Sequence, residues 1–185
     1  ATLLWANVGQ ISVTGQTTTA NASAIRLQRS ESTIQSEFFS SSNTAPAISF
    51  TATGGGAYGF TSGSGLSAAH TVMIQATGTG GVTISGAGGG QNYYDIGLNS
   101  TDILSKGTIT LTGTATGWGG GLFTSNILNV RAGVDSFLGY CATATCTNSR
   151  VTTSSANINL KFDRFSSYDT YSYLKVNTAG EFKFE

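Results

Sequence analysis

The sequence predicts an all-β chain wound as a parallel β-solenoid with loop insertions. Three observations point there: short runs alternating apolar and polar residues, a recurring order of strand types, and glycine runs at matching places between them. Of 185 residues only 10% are charged and one is proline, while 25 are glycine. Few long charged side chains means few strong helix formers, and the abundant Thr, Val, Ile, Tyr and Phe suit a pleated, half-buried surface.

The first strand type is Gln10-Ile-Ser-Val-Thr-Gly15, Ala47-Ile-Ser-Phe-Thr-Ala52, Val82-Thr-Ile-Ser-Gly86, Thr108-Ile-Thr-Leu-Thr-Gly113 and Asn157-Ile-Asn-Leu-Lys-Phe162. Period-two alternation puts the apolar members on one face. Ile11, Ile48, Ile84, Ile109 and Ile158 are therefore expected to stack as one inward ladder.

A second type follows a small-residue turn: Ala24-Ile-Arg-Leu27, Ala57-Tyr-Gly-Phe60, Asp95-Ile-Gly-Leu98, Gly121-Leu-Phe-Thr124 and Tyr171-Ser-Tyr-Leu174. A third, shorter segment is expected at Thr33-Ile34, Gly65-Leu66, Asp102-Ile103 and Asn126-Ile127. Three strands per turn is what one coil of a parallel β-helix needs. Insertions are expected near Phe38 to Pro46 and Val134 to Ser155, because solenoids let loops leave between strands. Thr71-Val-Met-Ile-Gln-Ala76 reads either as a first strand or as an inserted one. The runs Gly54–Gly56, Gly88–Gly90 and Gly119–Gly121 fall between first and second strands and read as corners. No Gly-Lys-Ser/Thr ending follows them, as a phosphate loop would require.

The pattern Thr108-Ile-Thr-Leu-Thr-Gly-Thr-Ala-Thr-Gly117, a glycine corner, then Gly121-Leu-Phe-Thr-Ser-Asn126, resembles the repeats of filamentous haemagglutinin-like exoproteins, surface adhesins exported by two-partner secretion. The resemblance covers about two-thirds of the chain and rests on composition. It implies a right-handed parallel β-helix and an adhesive or structural role on a secreted bacterial surface fibre. The Cys-containing insertion and the aromatic-rich last segment depart from that pattern. A β-sandwich subunit of a pilus-like filament is the alternative architecture.

Composition excludes several functions. Nine basic residues balance nine acidic ones, so no basic footprint for nucleic acid exists, and no segment suits membrane insertion. Residues 1–185 read as one solenoid domain, with abrupt ends that suggest a segment of a longer repetitive protein. Partners are then neighbouring solenoid segments, copies of the chain, or host and matrix glycans.

Cys141 and Cys146 close a short polar loop and are expected to form a disulfide, which fits an extracellular, oxidising location. No metal or cofactor site is read, and no catalytic residue. His70 is the sole histidine and no Gly-x-Ser-x-Gly elbow occurs. A carbohydrate-active β-helix would need two carboxyls flanking one bond. Asp95, Asp102 and Asp135 are the acids that could converge, against a reading of all three as solvated turn residues. Tyr168, Tyr171 and Tyr173 are candidates for stacking on sugar rings, against a plain thicker core. Thr110-Leu-Thr112 and Thr143-Ala-Thr145 raise an ice-binding solenoid, which needs a regular hydroxyl array across coils. The irregular spacing of the strands argues against such an array.

Overall fold

The structure, a computed structural model, describes residues 3–19, 22–27, 36–54, 59–62, 72–88, 95–113, 122–132, 156–162, 165–167 and 173–185. Among these the regular elements are all strands. β1 (Leu3–Ala6) precedes a first round of β2 (Ile11–Gln16), β3 (Ile25–Leu27) and β4 (Ser36–Ser40). The second round is β5 (Ile48–Thr53), β6 (Phe60–Ser62) and β7 (Val72–Ala76). In the third, β8 (Val82–Ala87) is followed by one long strand, β9 (Ile96–Ser105), and in the fourth β10 (Ile109–Gly113) by β11 (Leu122–Ala132). A fifth round comprises β12 (Ile158–Lys161), β13 (Phe165–Ser167) and β14 (Tyr173–Asn177), and β15 (Phe182–Phe184) opens another.

Strands at the same place in each round lie side by side. The first-position strands form a six-stranded sheet in the order β15-β12-β10-β8-β5-β2. Second-position strands run β3-β6-β9-β11-β13, and third-position strands run β1-β4-β7-β9-β11-β14. Because β9 and β11 pass through both positions, these two lines fuse into one nine-stranded sheet. Every pairing among the described strands is parallel. That arrangement is compatible with a β-solenoid. It overturns the β-sandwich alternative, whose hairpins and Greek keys need antiparallel neighbours.

The alternating pattern of the first strands becomes alternating burial, with Ile48, Phe50 and Ala52 inside and Thr51 and Thr53 outside. The inward residues stack in two main columns. One runs Ile11, Ile48, Val82, Ile109, Ile158, Phe182, and the next runs Val13, Phe50, Ile84, Leu111, Leu160, Phe184. The expected isoleucine ladder is therefore corrected at one member. Val82 occupies the place assigned to Ile84, and Ile84 sits one column over. Both face inward, since a two-residue shift preserves the face.

A third inward column holds only small residues: Gly15, Ala52, Gly86 and Gly113. Here the chain passes directly underneath on its way to the second-position strand. A Cβ on Gly15 would lie 2.6 Å from the Ala24 carbonyl oxygen, and one on Gly86 would collide with the Asp95 carbonyl. The sheets converge along this seam, so nothing larger fits.

One aromatic from each line meets at the centre. Phe50 packs edge-on to Phe38 at 5.0 Å between ring centroids and lies 5.1 Å from Phe60. All three are buried. Such offset and edge contacts suit the ring quadrupole.

Several third-position expectations are corrected. Thr71–Ala76 contains β7, which pairs with β4 and β9, so it is a third strand and neither a first strand nor an insertion. The segment from Phe38 is likewise no insertion at its start, since Phe38 and Ser40 belong to β4 and are buried. Ile34 and Leu66 lie outside the described residues. Asn126 and Ile127 fall at a bulge in β11, between Ser125 opposite Asn99 and Leu128 opposite Thr101. Tyr173 and Leu174 pair with Ile127 and Leu128, making β14 a third strand. The second strand of that round is Phe165–Ser167, opposite Leu122.

Corners from third to first position are closed by side chains. Ser40 Oγ donates to the Gly9 carbonyl at 2.6 Å and accepts from the Ser42 amide. Ser105 Oγ accepts from Gly107 N–H, and Thr178 Oγ1 from Gly180 N–H while donating to the Ala156 carbonyl. Asn43 Oδ1 reaches the next round to accept from Thr79 N–H, and Asn157 Oδ1 likewise from Glu181 N–H. The backbone ladder runs unbroken through these corners, with Ala47 N–H to Gly81, Val82 N–H to Thr108 and Ile109 N–H to Asn157 carbonyls. Gly81 has φ of 79°, a left-handed conformation that favours glycine.

Candidate functional site

The two sheets differ on their outer faces. On β7, Met73 and Gln75 point away from the inward Val72, Ile74 and Ala76, yet all five residues are buried. Asp102 and Leu104 on β9 are buried in the same way. The nine-stranded sheet is thus covered on both faces at its third-position centre. Within that cover Gln75 Nε2 approaches Glu37 Oε1 at 3.4 Å and also contacts Met73 Sδ. Desolvation pushes the half-buried Glu37 carboxyl above the usual glutamate range.

The outer face of the six-stranded sheet is partly or fully exposed along its length. Its outward positions pair as Ser12 and Thr14 on β2, Ser49 and Thr51 on β5, Thr83 and Ser85 on β8, and Thr110 and Thr112 on β10. The register aligns them into columns Ser12–Ser49–Thr83–Thr110 and Thr14–Thr51–Ser85–Thr112 with no shift. This revises the expectation that uneven strand spacing would prevent a regular hydroxyl array. Loops of unequal length leave at the corners, and the strands between them remain in register.

Beyond β10 the chemistry changes. Asn159 and Lys161 continue the columns on β12, and Lys183 follows on β15. Lys161 pairs with Glu185 at 3.2 Å and Lys183 with Glu181 at 3.3 Å. These exposed ion pairs contribute about 0–1 kcal/mol each. The face therefore has an uncharged part of four strands and a charged end.

Among the described residues none of the eight hydroxyls on β2, β5, β8 and β10 makes a hydrogen bond to protein. The corner hydroxyls of Ser40, Ser42, Ser105 and Thr178 all do. Serine and threonine thus have two separate uses here: at corners they satisfy the backbone, and on the face they are left to solvent.

The acids considered for carbohydrate chemistry are placed differently from expectation. Asp95 and Asp102 are buried, so neither is a solvated turn residue. Asp95 Oδ1 accepts the Gly88 N–H at 2.7 Å, and its other oxygen lies where a Cβ on Gly113 would be. Asp95 thereby ties the corner after β8 to the seam beside β10. Burying a carboxylate demands such partners. Asp135 lies outside the described residues.

A buried hydroxyl pair went unread in the sequence. Ser62 and Thr101 sit 2.8 Å apart between second and third positions. Thr101 Oγ1 donates to the Asn99 carbonyl at 2.9 Å, so Ser62 must supply the proton between them.

Cys141, Cys146, His70, Tyr168 and Tyr171 lie outside the described residues, and Tyr173 is located only by its backbone pairing on β14. Among the described residues no group of three or more His, Cys, Asp or Glu side chains could hold a metal, and no helix is long and apolar enough to cross a membrane. Compared with known proteins, the chain matches no protein-family model, no curated protein and no solved structure.

Proposed function

We propose that the chain is a structural or adhesive segment of a secreted bacterial surface fibre, non-enzymatic and wound as a right-handed parallel β-helix. The observation that carries this reading is the parallel, in-register stacking of the inward columns from round to round, a pattern that repetition can extend. Phe182 and Phe184 extend the inward columns of Ile158 and Leu160, yet both are 48% exposed. At the opposite edge of the stack Leu4 is exposed, and Trp5, whose ring rests on Phe39, is 65% exposed. These exposed apolar side chains lie on edge strands, whose open backbone groups can pair with a strand of another segment or copy.

Each round adds about 4.8 Å along the stack, so neighbouring segments or further copies would prolong a rod without changing its cross-section. An uncharged hydroxyl face along such a rod offers many weak polar contacts that can act together. Sedimentation and small-angle scattering at rising protein concentration test the reading. Elongated species of constant cross-section are expected, and Phe182→Lys with Phe184→Lys should suppress them. A compact monomer at every concentration would overturn it.

A further inference from the structure

The uncharged part of the six-stranded sheet carries a second property, independent of whether the chain forms fibres. We propose that the face of β2, β5, β8 and β10 is a binding site for an ordered water lattice, with ice as its ligand. Two unbroken columns of hydroxyls run across four strands without a register shift. Neighbours within a column are about 4.8 Å apart, and the columns are about 6.6 Å apart, as strand spacing and a two-residue rise dictate. The shorter spacing lies close to the oxygen repeat along the a axis of an ice prism face, and the longer one approaches the repeat along its c axis while falling somewhat short of it.

Three further features suit this ligand. The hydroxyls on the face make no hydrogen bond to the described protein, so donor and acceptor capacity faces solvent. Five of the eight side chains are threonines, whose branched Cβ restricts rotation about χ1 and whose methyl group sits beside the hydroxyl. The strands beneath are anchored by fully buried Ile48, Phe50, Ile84, Ile109 and Leu111, so the hydroxyl positions are set before any ligand arrives.

The same features disfavour a sugar. Sugar rings are recognised by aromatic platforms with convergent charged or amide groups, and the outward positions of these four strands carry none beyond Gln16 at the edge of β2. The absence of charge also matters for ice, because an ion orders water around itself and breaks the lattice. Each hydroxyl contact is weak, and binding would come from many made at once.

Ice-affinity partitioning of the whole chain during slow freezing tests the proposal, with an unrelated soluble protein as the reference. Wild type should concentrate in the ice and inhibit recrystallisation. Thr51→Lys, and Thr14→Lys with Thr51→Lys, should fall to the reference level. Both positions are exposed, so these variants should keep the wild-type circular dichroism spectrum and melting temperature. Val8→Lys, at an 87% exposed site off the face, should behave as wild type. Wild type excluded from ice like the reference overturns the proposal, and so does wild-type partitioning by the double variant. Retention on crystalline cellulose or chitin that the same substitutions abolish, without ice partitioning, overturns it in favour of a polysaccharide ligand. Sedimentation separates this proposal from the fibre reading: a monomer that partitions into ice keeps the one and removes the other.

Discussion

Phe50→Ala removes the ring through which the three strand positions meet. Phe50 is fully buried and touches Phe38 and Phe60, one ring from each other line. Truncating a buried phenylalanine costs about 3–5 kcal/mol in lost transfer energy and residual cavity. That total includes ring contacts of about 0.5–1.5 kcal/mol each, and two are lost here, so the upper half of the range, about 4–5 kcal/mol, is expected. Against a typical domain stability of about 5–15 kcal/mol that is a large fraction. Phe50→Leu keeps most of the volume and should cost about 1–2 kcal/mol. Urea unfolding followed by both circular dichroism and tryptophan fluorescence measures it, with Val8→Ala as the exposed control. The midpoint should fall with little change in slope. A loss below about 1 kcal/mol for Phe50→Ala would refute the placement of the three rings at a dry centre.

Gly86→Ala should destabilise markedly, because the added Cβ meets the Asp95 backbone, whereas Gly9→Ala, with only the Ala6 Cβ at 3.8 Å, should be neutral; thermal melts compare them. Thr101→Val should cost about 1–3 kcal/mol by leaving the buried Ser62 donor unmatched, and Ser62→Ala only about 0.5–1.5 kcal/mol, since Thr101 keeps its bond to Asn99; equal losses in urea titrations would argue against Ser62 as the donor. Glu37 binds its proton more tightly folded than unfolded, so its contribution opposes folding increasingly as pH rises above the unfolded glutamate value of about 4.3. Glu37→Gln should therefore be more stable than wild type at pH 7, with the gap closing towards pH 4. A gap that widens on acidification would refute the desolvated placement of Glu37.

The first-position strands were legible because one face is core and the other solvent, which writes alternation directly into the sequence. That alternation gives the face but not the column, and so Val82 and Ile84 could not be told apart. Third-position strands were obscured for the opposite reason. Val72-Met-Ile-Gln-Ala76 is buried on both faces, so no alternation marks it. Tyr171-Ser-Tyr-Leu174 shows that a strand pattern alone does not state which line the strand joins, since only the partner across the sheet decides that. The hydroxyl columns were present in the sequence as Ser12-Val-Thr14, Ser49-Phe-Thr51, Thr83-Ile-Ser85 and Thr110-Leu-Thr112. They became an array only when register showed that unequal loops leave the strands aligned. The Asp95 tether and the Ser62–Thr101 pair depend on close approaches between residues distant in sequence, which periodicity does not encode.

The shared register has a consequence for how such a chain could grow or shrink. Val82 and Ile109 occupy the same slot in successive rounds, as do Ile96 and Leu122, and Thr101 and Leu128. Excising Val82 through Thr108 would join Gly81 to Ile109, bring Ile109 opposite Ile48, and set β11 against β6 and β7 with each column intact. Nothing at the seam needs a new fold, because the amide of Ile109 already finds its carbonyl at Asn157, as Val82 found its own at Thr108. The register would thus tolerate change by whole rounds, and losing this one would also remove the Asp95 tether and leave Ser62 without Thr101.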